Sequence, residues 1–588
     1  MKKISLFLIL LLCSSSLMAE PIGEKRARQI AEEFFAAHAT RSAYGDITLE
    51  WAGDSIDTDM TSGSDLNNSL MYIYNRGNNE GFVIIAGDSN LDPIIAYSFD
   101  TSIDTDDMAE ATSLLLEAWC RKVQHVRQTA KPISGDATRA ATRNSDELLY
   151  ETAIWNQNAP FNNEAPVIDG YRAVTGCVAT AMSIICYYNK WPQNGVGTTP
   201  AYTYTHYTGT TTVPANTLGR TYNYDDMLMN YNNGYSTTEG NAVAALMKDM
   251  GTATKMAYHY NGSGTYDSEA IYALTTYFGY SKSATLDYAD SYSTDEWNSI
   301  IRKNVRTYGP TYFSGGSDSG GHAFVIDGFA PNNYFHFNFG WGGQGNGYFL
   351  IPEIEYYQQQ CAILYLEPDP DSTSQYRDNL KLYPQLLSTG YQCKGLDSDA
   401  LYYRQGESFN ITIGAICNLG QATYSGNVAL MHCDANGNIK DILNTWEINL
   451  DPYYVMRLPA SVTINKSVET GDRLRMYYMQ SVTGEWEWMR SYTIAPDTPV
   501  YTELLMSGSA EDVADTLMLA FDNTEHLIIF NSPYPLQIVI TTENSTEALI
   551  DGYGYANTTY SIEIGESPGV LIFHFSSGND PYSVKIKR

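Results

Sequence analysis

The chain has 588 residues and a formal net charge of -32 at pH 7. That length exceeds what one hydrophobic core organises, so about three or four domains are expected. The negative charge disfavours binding to nucleic acid or to an anionic membrane surface, because both would repel the protein. The 47 tyrosines and 46 glycines are typical of exported, β-rich proteins.

The amino terminus has the layout of a secretory signal peptide. Two lysines precede an apolar run from Ile4 to Leu12, and a serine-rich stretch then ends at Ala19. We predict a signal peptide over residues 1–19, with cleavage after Ala19 and export of the mature chain. Lipoprotein processing at Cys13 is the alternative, but Leu12 is bulky where that cleavage requires a small residue. No later apolar run is long enough to cross a bilayer.

The 8 cysteines are spread without close pairs, and removal of the signal peptide takes away Cys13 and leaves an odd number. At least one thiol therefore stays unpaired, and in an exported protein such a thiol is a candidate nucleophile. No histidine has a spacing to cysteine that matches a zinc site. The sequence therefore predicts neither a metal nor another cofactor.

Residues 20–140 form a first predicted unit of mixed α and β structure. Helical periodicity marks its two ends, and alternating apolar segments between them predict a hairpin and one further strand. The polar stretch 129–146, with three basic residues, predicts an exposed linker behind this unit. The predicted elements are a helix at 21–37, strands at 71–74, 82–86 and 93–97, and a helix at 109–127.

Proline-containing breakers at 368–370 and 495–499 divide the rest of the chain into three units. A second unit covers 147–367. Alternating apolar residues at 409–413 and 486–488, with a turn at 434–437, predict a β-sandwich over 372–495. A last all-β unit is predicted for 500–588.

The sharpest chemical signal is an apolar helical run that begins at Cys177 and stops at Trp191 and Pro192. In the first helical turn, unpaired backbone N–H groups and the helix dipole favour a thiolate, which is the form that acts as a nucleophile. Cys186 follows nine residues later, about 180° around the helix, and is expected in the core. For Cys177 itself, a buried structural cysteine is the alternative that this segment leaves open.

A thiolate nucleophile needs a base, and His322 enters a predicted strand from a glycine loop. The returning strand runs from Tyr334 to Phe339. If the strands pair so that His322 lies opposite Asn338, the Asn338 amide could orient the imidazole, which gives a Cys–His–Asn arrangement. A slip of one residue would send Asn338 to the other face.

His336 is the rival base, but its phenylalanine neighbours leave less room for a substrate than the glycines before His322. His206 and His259 lie in tyrosine-rich sequence and are expected at the surface. The oxyanion formed in acyl transfer needs hydrogen-bond donors. The Cys177 backbone N–H and the side-chain amide of Gln157 are the candidates.

Three motifs in this order resemble the streptopain family of papain-like cysteine peptidases, over roughly residues 155–366. They are the segment around Gly176-Cys177-Val178-Ala179-Thr180-Ala181, the segment from Gly321 to Gly328, and the segment from His336 to Gly343. The resemblance implies a papain-like α+β peptidase domain. It also implies roles for Cys177 as nucleophile, His322 as base, Asn338 as orienting residue and Gln157 as oxyanion donor.

The same resemblance implies that Phe339, Trp341 and Gly342 belong to a mobile substrate-binding loop. Phe339 departs from the family pattern, since the best-known member has tryptophan beside the catalytic asparagine. Residues 20–140 resemble the inhibitory prodomain of these enzymes, above all at 81–88. The carboxy-terminal β-units are similar to those of members from Bacteroidetes.

The sequence therefore predicts a secreted or cell-surface cysteine endopeptidase, made as a zymogen, with protein or peptide substrates and its own prodomain as inhibitor. Two other functions remain open. The same machinery could transfer acyl groups to amines or cleave other amides, although a prodomain favours proteolysis. Alternatively, the carboxy-terminal units could bind a host protein or a glycan, for example through Trp486 and Trp488.

Overall fold

A computed structural model gives the fold. It describes residues 21–38, 46–54, 68–106, 108, 110–129, 146–206, 209–317, 320–351, 358–383, 385–386, 392–393, 395–398, 403–458, 461–492 and 502–506, and the backbone of the strands between 518 and 587. The predicted signal peptide and positions 130–145 of the predicted linker lie outside the described residues. No helix in the described part of the chain is long and apolar enough to span a membrane.

The described residues form α-helices and many short strands. The helices are α1 (Glu24–Ala37), α2 (Glu110–Thr129), α3 (Cys177–Asn189), α4 (Thr237–Ala253), α5 (Asp267–Tyr277) and α6 (Thr294–Tyr308). The strands up to residue 364 are β1 (Ile47–Gly53), β2 (Met71–Arg76), β3 (Phe82–Ala86), β4 (Ile94–Ser98), β5 (Leu148–Leu149), β6 (Val167–Ile168), β7 (Tyr171–Arg172), β8 (Thr198–Thr199), β9 (Tyr202–His206), β10 (Gly209–Val213), β11 (Asn216–Thr217), β12 (Thr285–Tyr288), β13 (Thr311–Ser317), β14 (Gly320–Phe329), β15 (Tyr334–Asn338), β16 (Gly347–Leu350) and β17 (Gln358–Leu364).

The remaining strands belong to the carboxy-terminal part. They are β18 (Leu380–Tyr383), β19 (Gln385–Leu386), β20 (Gln392–Cys393), β21 (Leu396–Ser398), β22 (Ser408–Ile413), β23 (Ala415–Asn418), β24 (Tyr424–Cys433), β25 (Ile439–Leu450), β26 (Val455–Met456), β27 (Ser461–Thr463), β28 (Arg473–Met479), β29 (Trp486–Trp488), β30 (Arg490–Ser491), β31 (Glu503–Leu505), β32 (Met518–Asp522), β33 (Leu527–Ser532), β34 (Leu536–Thr542), β35 (Ser545–Gly554), β36 (Thr558–Glu563), β37 (Val570–Ser577) and β38 (Asp580–Lys587).

The chain forms two compact units. The first comprises Met1–Ala273 with Asn298–Gln358, and the second comprises Leu274–Trp297 with Gln359–Arg588. In the first unit one antiparallel sheet has the strand order β1-β2-β3-β4-β16-β15-β14-β13, and β5 pairs with β14. Strands from the amino-terminal part and from the later part of the chain thus share a single sheet.

The seam of this sheet is the pairing of β4 with β16, where Ala96 lies opposite Phe349 and Tyr97 opposite Tyr348. The rings of Tyr97 and Tyr348 stack at 4.8 Å. The Tyr334 hydroxyl adds a hydrogen bond of 2.6 Å to the Ile94 carbonyl. The seam therefore combines backbone pairing with aromatic packing. Through it, strands β1–β4 of the amino-terminal part extend the sheet that β13–β16 form.

The buried face of α1 explains why the amino-terminal unit folds. Ala27, Ile30, Ala31, Phe34 and Phe35 lie on one side of the helix and are buried. They pack in one cluster with side chains of the neighbouring sheet, including the two tyrosines of the seam. Burial of these apolar side chains stabilises the unit and the seam together.

The second unit contains a β-sandwich. Its sheets follow the orders β26-β23-β18-β30, β21-β22-β27 and β25-β24-β28-β29, with β31 paired to β28. Alternate residues of these strands enter one core, which includes Leu382, Ile416, Leu430 and Met476. A buried ion pair of 2.6 Å between Lys381 and Asp287 joins β18 to β12 inside this unit. The structure thus has β-sheets where the sequence predicts a β-sandwich, while the predicted domain bounds of 372–495 stay a prediction.

The predicted amino-terminal elements are confirmed as α1, β2, β3, β4 and α2. The sequence did not predict β1, which forms the outer edge of the sheet and has a register shift between Leu49 and Trp51. The irregular pairing breaks the alternation of apolar and polar residues along β1, and this alternation is the signal from which a strand is predicted.

The seam leads to a testable expectation for Tyr334→Phe in the full precursor. Loss of the hydroxyl leaves the Ile94 carbonyl without this donor, which costs about 1 kcal/mol and corresponds to roughly five-fold more frequent opening of the seam. Hydrogen exchange of the β16 amides should accelerate by about that factor, while exchange within the β2–β3 pair should not change.

Tyr187→Phe is the matched control, because the Tyr187 hydroxyl bonds to the Met227 carbonyl, away from the seam. It should leave β16 exchange unchanged. Equal acceleration in both variants would show that the Tyr334 hydrogen bond does not hold the seam.

Candidate active site

The predicted nucleophile lies at the first residue of α3. Gly176 precedes it with φ +88°, and a Cβ at Gly176 would come within 2.6 Å of the Met256 sulfur, so only glycine fits there. The Thr180 backbone N–H and hydroxyl both donate to the Gly176 carbonyl, at 3.1 and 3.0 Å. These contacts fix the helix start and hold Cys177 at its amino end.

The Cys177 thiol is held in the neutral form. Burial raises its pKa above the ordinary value, and hydrogen bonds from the backbone N–H groups of Ala323, Val178 and Cys177 itself offset only part of that effect. Ala323 is the residue after His322, so the thiol lies beside the strand that carries the predicted base. Cys186 is fully buried in the core, as predicted.

His322 lies on β14, with Gly315 of β13 as its neighbour in the sheet. Its Nε2 donates a hydrogen bond of 2.9 Å to the carbonyl oxygen of Phe339. A carbonyl can only accept, so the neutral imidazole carries its proton on Nε2 and has Nδ1 as its basic nitrogen. Burial lowers the pKa of His322 to about 4, which keeps the ring neutral at physiological pH.

Two aromatic rings stack in succession beside this base. The imidazole of His322 lies on the indole of Trp341 with 4.7 Å between ring centroids, and that indole lies on the Phe339 ring at 4.8 Å. Phe339 is fully buried. The Phe339 ring packs in the core in this conformation and its backbone carbonyl faces the base, so the predicted contact of Phe339 with substrate stays a prediction.

The predicted register of β14 and β15 is wrong. Asn338 pairs with Val325 instead of His322, and a register shift lies between Ile326 and Gly328. The Asn338 amide donates to the Thr152 hydroxyl at 2.9 Å and to the Ala153 carbonyl at 3.0 Å. The predicted direct contact between Asn338 and His322 is thus replaced by the Phe339 carbonyl.

Asn338 nevertheless acts on the same peptide. Its Oδ1 accepts a hydrogen bond of 3.2 Å from the Gly340 N–H, which belongs to the peptide unit whose carbonyl accepts from His322. Asn346 holds the preceding peptide, because its Oδ1 accepts from the Phe339 N–H at 3.0 Å. Both asparagines are positioning residues for the Phe339 carbonyl.

The rival base His336 belongs to a different site. Its Nδ1 lies 2.5 Å from the Asp327 carboxylate, which also accepts from the Thr152 hydroxyl. Burial lowers the pKa of His336, but the ion pair with Asp327 outweighs it and the pKa is raised. His336 pairs with Gly328, six residues along β14 from His322, which is about 20 Å. It is a buried structural pair.

Gln157 lies next to the nucleophile through its backbone. Its carbonyl accepts a hydrogen bond of 3.1 Å from the Thr175 N–H, two residues before Cys177. The loop after Trp341 lies nearby, since the Gly342 N–H donates to the Trp155 carbonyl at 2.8 Å and the Gly342 carbonyl accepts from Asn232 at 2.8 Å. The predicted loop is therefore tied at Gly342 in this conformation.

Two other sequence expectations concern residues outside this site. His259 is buried, so the expected surface position is wrong for it, whereas His206 is partly exposed at the end of β9. The guanidinium groups of Arg475 and Arg490 each lie 3.8 Å from the centroid of the Trp488 ring. The predicted glycan contact through Trp486 and Trp488 stays a prediction.

Comparisons with known proteins find family matches for two parts of the chain. Residues 155–349 match the model of the peptidase C10 family, and residues 19–123 match the model of the Spi protease inhibitor. Streptopain of Streptococcus pyogenes is 30% identical over 353 residues, which are 56% of this chain and 85% of streptopain. The chain belongs to the streptopain family.

Two further proteins are similar to parts of this chain. The thiol protease/hemagglutinin PrtT of Porphyromonas gingivalis is 33% identical over 361 residues, 58% of this chain, and the chain spans 40% of the length of PrtT. A fragment of prointerpain A from Prevotella intermedia is 25% identical, with 51% of this chain and 96% of the fragment covered at a TM-score of 0.43. As a streptopain family member, the chain is a cysteine endopeptidase with a papain-like domain and an inhibitory prodomain.

Within the streptopain-type site, the sequence did not reveal the acceptor for His322 or the part played by Asn346. A backbone carbonyl is present at every residue, so no residue type marks the one that faces the base. The register shift in β14 depends on packing at Gly328, which also has no local signal.

The two asparagines give a graded test of the site. We expect Asn338→Ala and Asn346→Ala each to lower kcat about five-fold, because each loses one hydrogen bond that positions the Phe339–Gly340 segment. His322→Ala should lower kcat roughly 10²–10⁴-fold, because it removes proton transfer. Steady-state kinetics over pH 5–9 would measure kcat for all three variants.

His336→Ala is the comparison for a purely structural role. It should lower thermal stability and leave kcat within about two-fold, since its partner Asp327 lies far from the base. Loss of activity in His336→Ala with a mild effect in His322→Ala would contradict the assignment of the base.

Proposed function

We propose that Cys177 and His322 hydrolyse peptide bonds of protein substrates through an acyl-enzyme. The observation that carries the proposal is the hydrogen bond from His322 Nε2 to the Phe339 carbonyl. It gives the imidazole the tautomer in which Nδ1 is the proton acceptor, while the Ala323 N–H holds the thiol beside the same strand.

In the first step, His322 Nδ1 takes the thiol proton as the Cys177 sulfur attacks the substrate carbonyl carbon. The new C–S bond gives a tetrahedral oxyanion, and the Cys177 backbone N–H and the Gln157 amide are the proposed donors to it. Collapse breaks the C–N bond, and the imidazolium gives its proton to the leaving amine. Water then attacks the thioester, with His322 as base, and the acid product leaves with regeneration of the thiol.

The electrostatics of the precursor support a resting state without an ion pair. Burial raises the pKa of Cys177 and lowers that of His322, so the thiol and the imidazole are both neutral at physiological pH. If water or substrate amides entered the site, the Cys177 thiol and the His322 imidazole would be better solvated, which would favour the thiolate–imidazolium pair. We infer that release of the prodomain lets water and substrate enter the site.

We further propose that the protein is exported by a signal peptide over residues 1–19 and matures by cleavage between residues 129 and 146. Residues 20–140 would act as prodomain, 147–367 as peptidase domain, and 372–495 and 500–588 as carboxy-terminal β-domains. The seam between β4 and β16 supports this role for the prodomain, because it attaches the unit to the peptidase sheet next to β15 and the Phe339 carbonyl.

The maturation of a Cys177→Ala precursor tests both proposals. If the enzyme cuts its own linker, the variant should accumulate with residues 20 to about 140 attached, because either an intramolecular or an intermolecular cut needs the thiolate. A small amount of mature wild-type enzyme should convert it to the short form, which should remain inactive. Mass spectrometry of the products would define the cut.

Cys186→Ala is the matched control, since Cys186 lies on the same helix but in the core. Folded Cys186→Ala precursor should mature at the wild-type rate. Maturation of the Cys177→Ala precursor at the wild-type rate, in a preparation free of other proteases, would exclude self-processing.

A further inference from the structure

Two loops and the end of strand β9 bring together the side chains of Asp169, His206 and His259 in the peptidase part. One carboxylate oxygen and one ring nitrogen from each histidine all lie within 4.8 Å of one another. We propose that these three residues bind a divalent transition metal ion of the Zn²⁺ class. The site lies outside the machinery assigned to proteolysis.

The donor set fits this class of ion. Two imidazoles and one carboxylate are ligands of tetrahedral zinc sites, with Zn–N and Zn–O distances of about 2.0–2.2 Å. Such distances place the ligand atoms about 3.3 Å apart, so the side chains must close by no more than about 1.5 Å from their outermost separation. A fourth position remains for water. Calcium and magnesium prefer oxygen ligands and are disfavoured by two imidazoles.

The hairpin that carries His206 is fixed to the loop that carries His259. The Tyr204 hydroxyl donates a hydrogen bond of 2.7 Å to the Tyr258 carbonyl. The two imidazole rings lie 5.7 Å apart between centroids. Because the Tyr204 hydroxyl holds the hairpin to the loop, the ligand atoms can approach an ion mainly by rotation of their side chains.

The turn that carries Asp169 is held by aromatic packing. Asp169 follows β6, and Tyr171 in β7 packs against Tyr260 with 5.0 Å between ring centroids. The Tyr260 ring also lies 4.1 Å from that of His259. Asp169 is exposed while His259 is buried, so an ion can enter from the solvent side of the cluster.

Both imidazoles have hydrogen-bond partners beside the cluster, and the partner of His206 orients its ring for the metal. His206 Nε2 lies 2.9 Å from the Thr211 hydroxyl, which can accept its proton and direct Nδ1 to the metal. His259 Nδ1 accepts from the Asn261 N–H at 3.2 Å. A neutral imidazole that coordinates through Nε2 carries its proton on Nδ1, so metal binding must displace this weak contact.

The loop of His259 also contacts the segment before the nucleophile. The Val174 N–H donates to the His259 carbonyl at 3.2 Å, and the Ser263 hydroxyl donates to the Val174 carbonyl at 2.8 Å. The Ser263 hydroxyl also accepts from the His259 N–H at 2.9 Å. A metal at the cluster would therefore stiffen the loop that supports Gly176 and Cys177.

The test uses the full, untagged Cys177→Ala precursor, in which the reactive thiol cannot bind the metal. After removal of bound ions, titration with Zn²⁺ by calorimetry should show one equivalent bound and an increase in the melting temperature. Asp169→Asn and His206→Ala should each weaken Zn²⁺ binding at least about ten-fold. Asp169 is exposed and His206 half-buried, so both variants should fold with an unchanged metal-free melting temperature.

His125→Ala is the matched control, because His125 is an exposed histidine on α2, outside the cluster. It should keep the affinity of the parent precursor. The proposal is overturned if no Zn²⁺ binds up to about 1 mM, which corresponds to a binding free energy weaker than about -4 kcal/mol. It is equally overturned if Asp169→Asn and His206→Ala bind Zn²⁺ as tightly as the parent.

Discussion

The Phe339–Gly340 peptide is the element on which the catalytic arrangement depends. Its carbonyl accepts from His322, its N–H donates to Asn338, and the N–H of the preceding peptide donates to Asn346. The imidazole is oriented by a backbone group that two asparagines hold in place. An orienting side chain can rotate away, whereas this carbonyl moves only if the loop after β15 moves.

That dependence connects the site to the rest of the first unit. The peptide follows β15, which pairs with β16, and β16 pairs with β4 of the prodomain. The prodomain therefore extends the same sheet that positions the base. Burial raises the pKa of the Cys177 thiol and lowers that of His322, so both groups are neutral in the structure that contains this continuous sheet.

The sequence was sufficient for features with a local pattern. The helix that begins at Cys177, the strand that carries His322 and the alternation of the β-sandwich each follow from periodicity or from a terminus signal. Features that depend on long-range packing were not predictable. The register of β15 depends on an irregularity near Gly328, and the cluster around His259 joins three segments that are distant in sequence.

The protonation state of His322 tests the central claim most directly. Nitrogen NMR of the ¹⁵N-histidine-labelled Cys177→Ala precursor, with the signal assigned by comparison with a Cys177→Ala/His322→Ala variant, would report the tautomer and the pKa. Burial lowers the pKa to about 4, so the ring should stay neutral from pH 5 to 8 with its proton on Nε2. A proton on Nδ1, or titration near the ordinary value of about 6.5, would contradict the account.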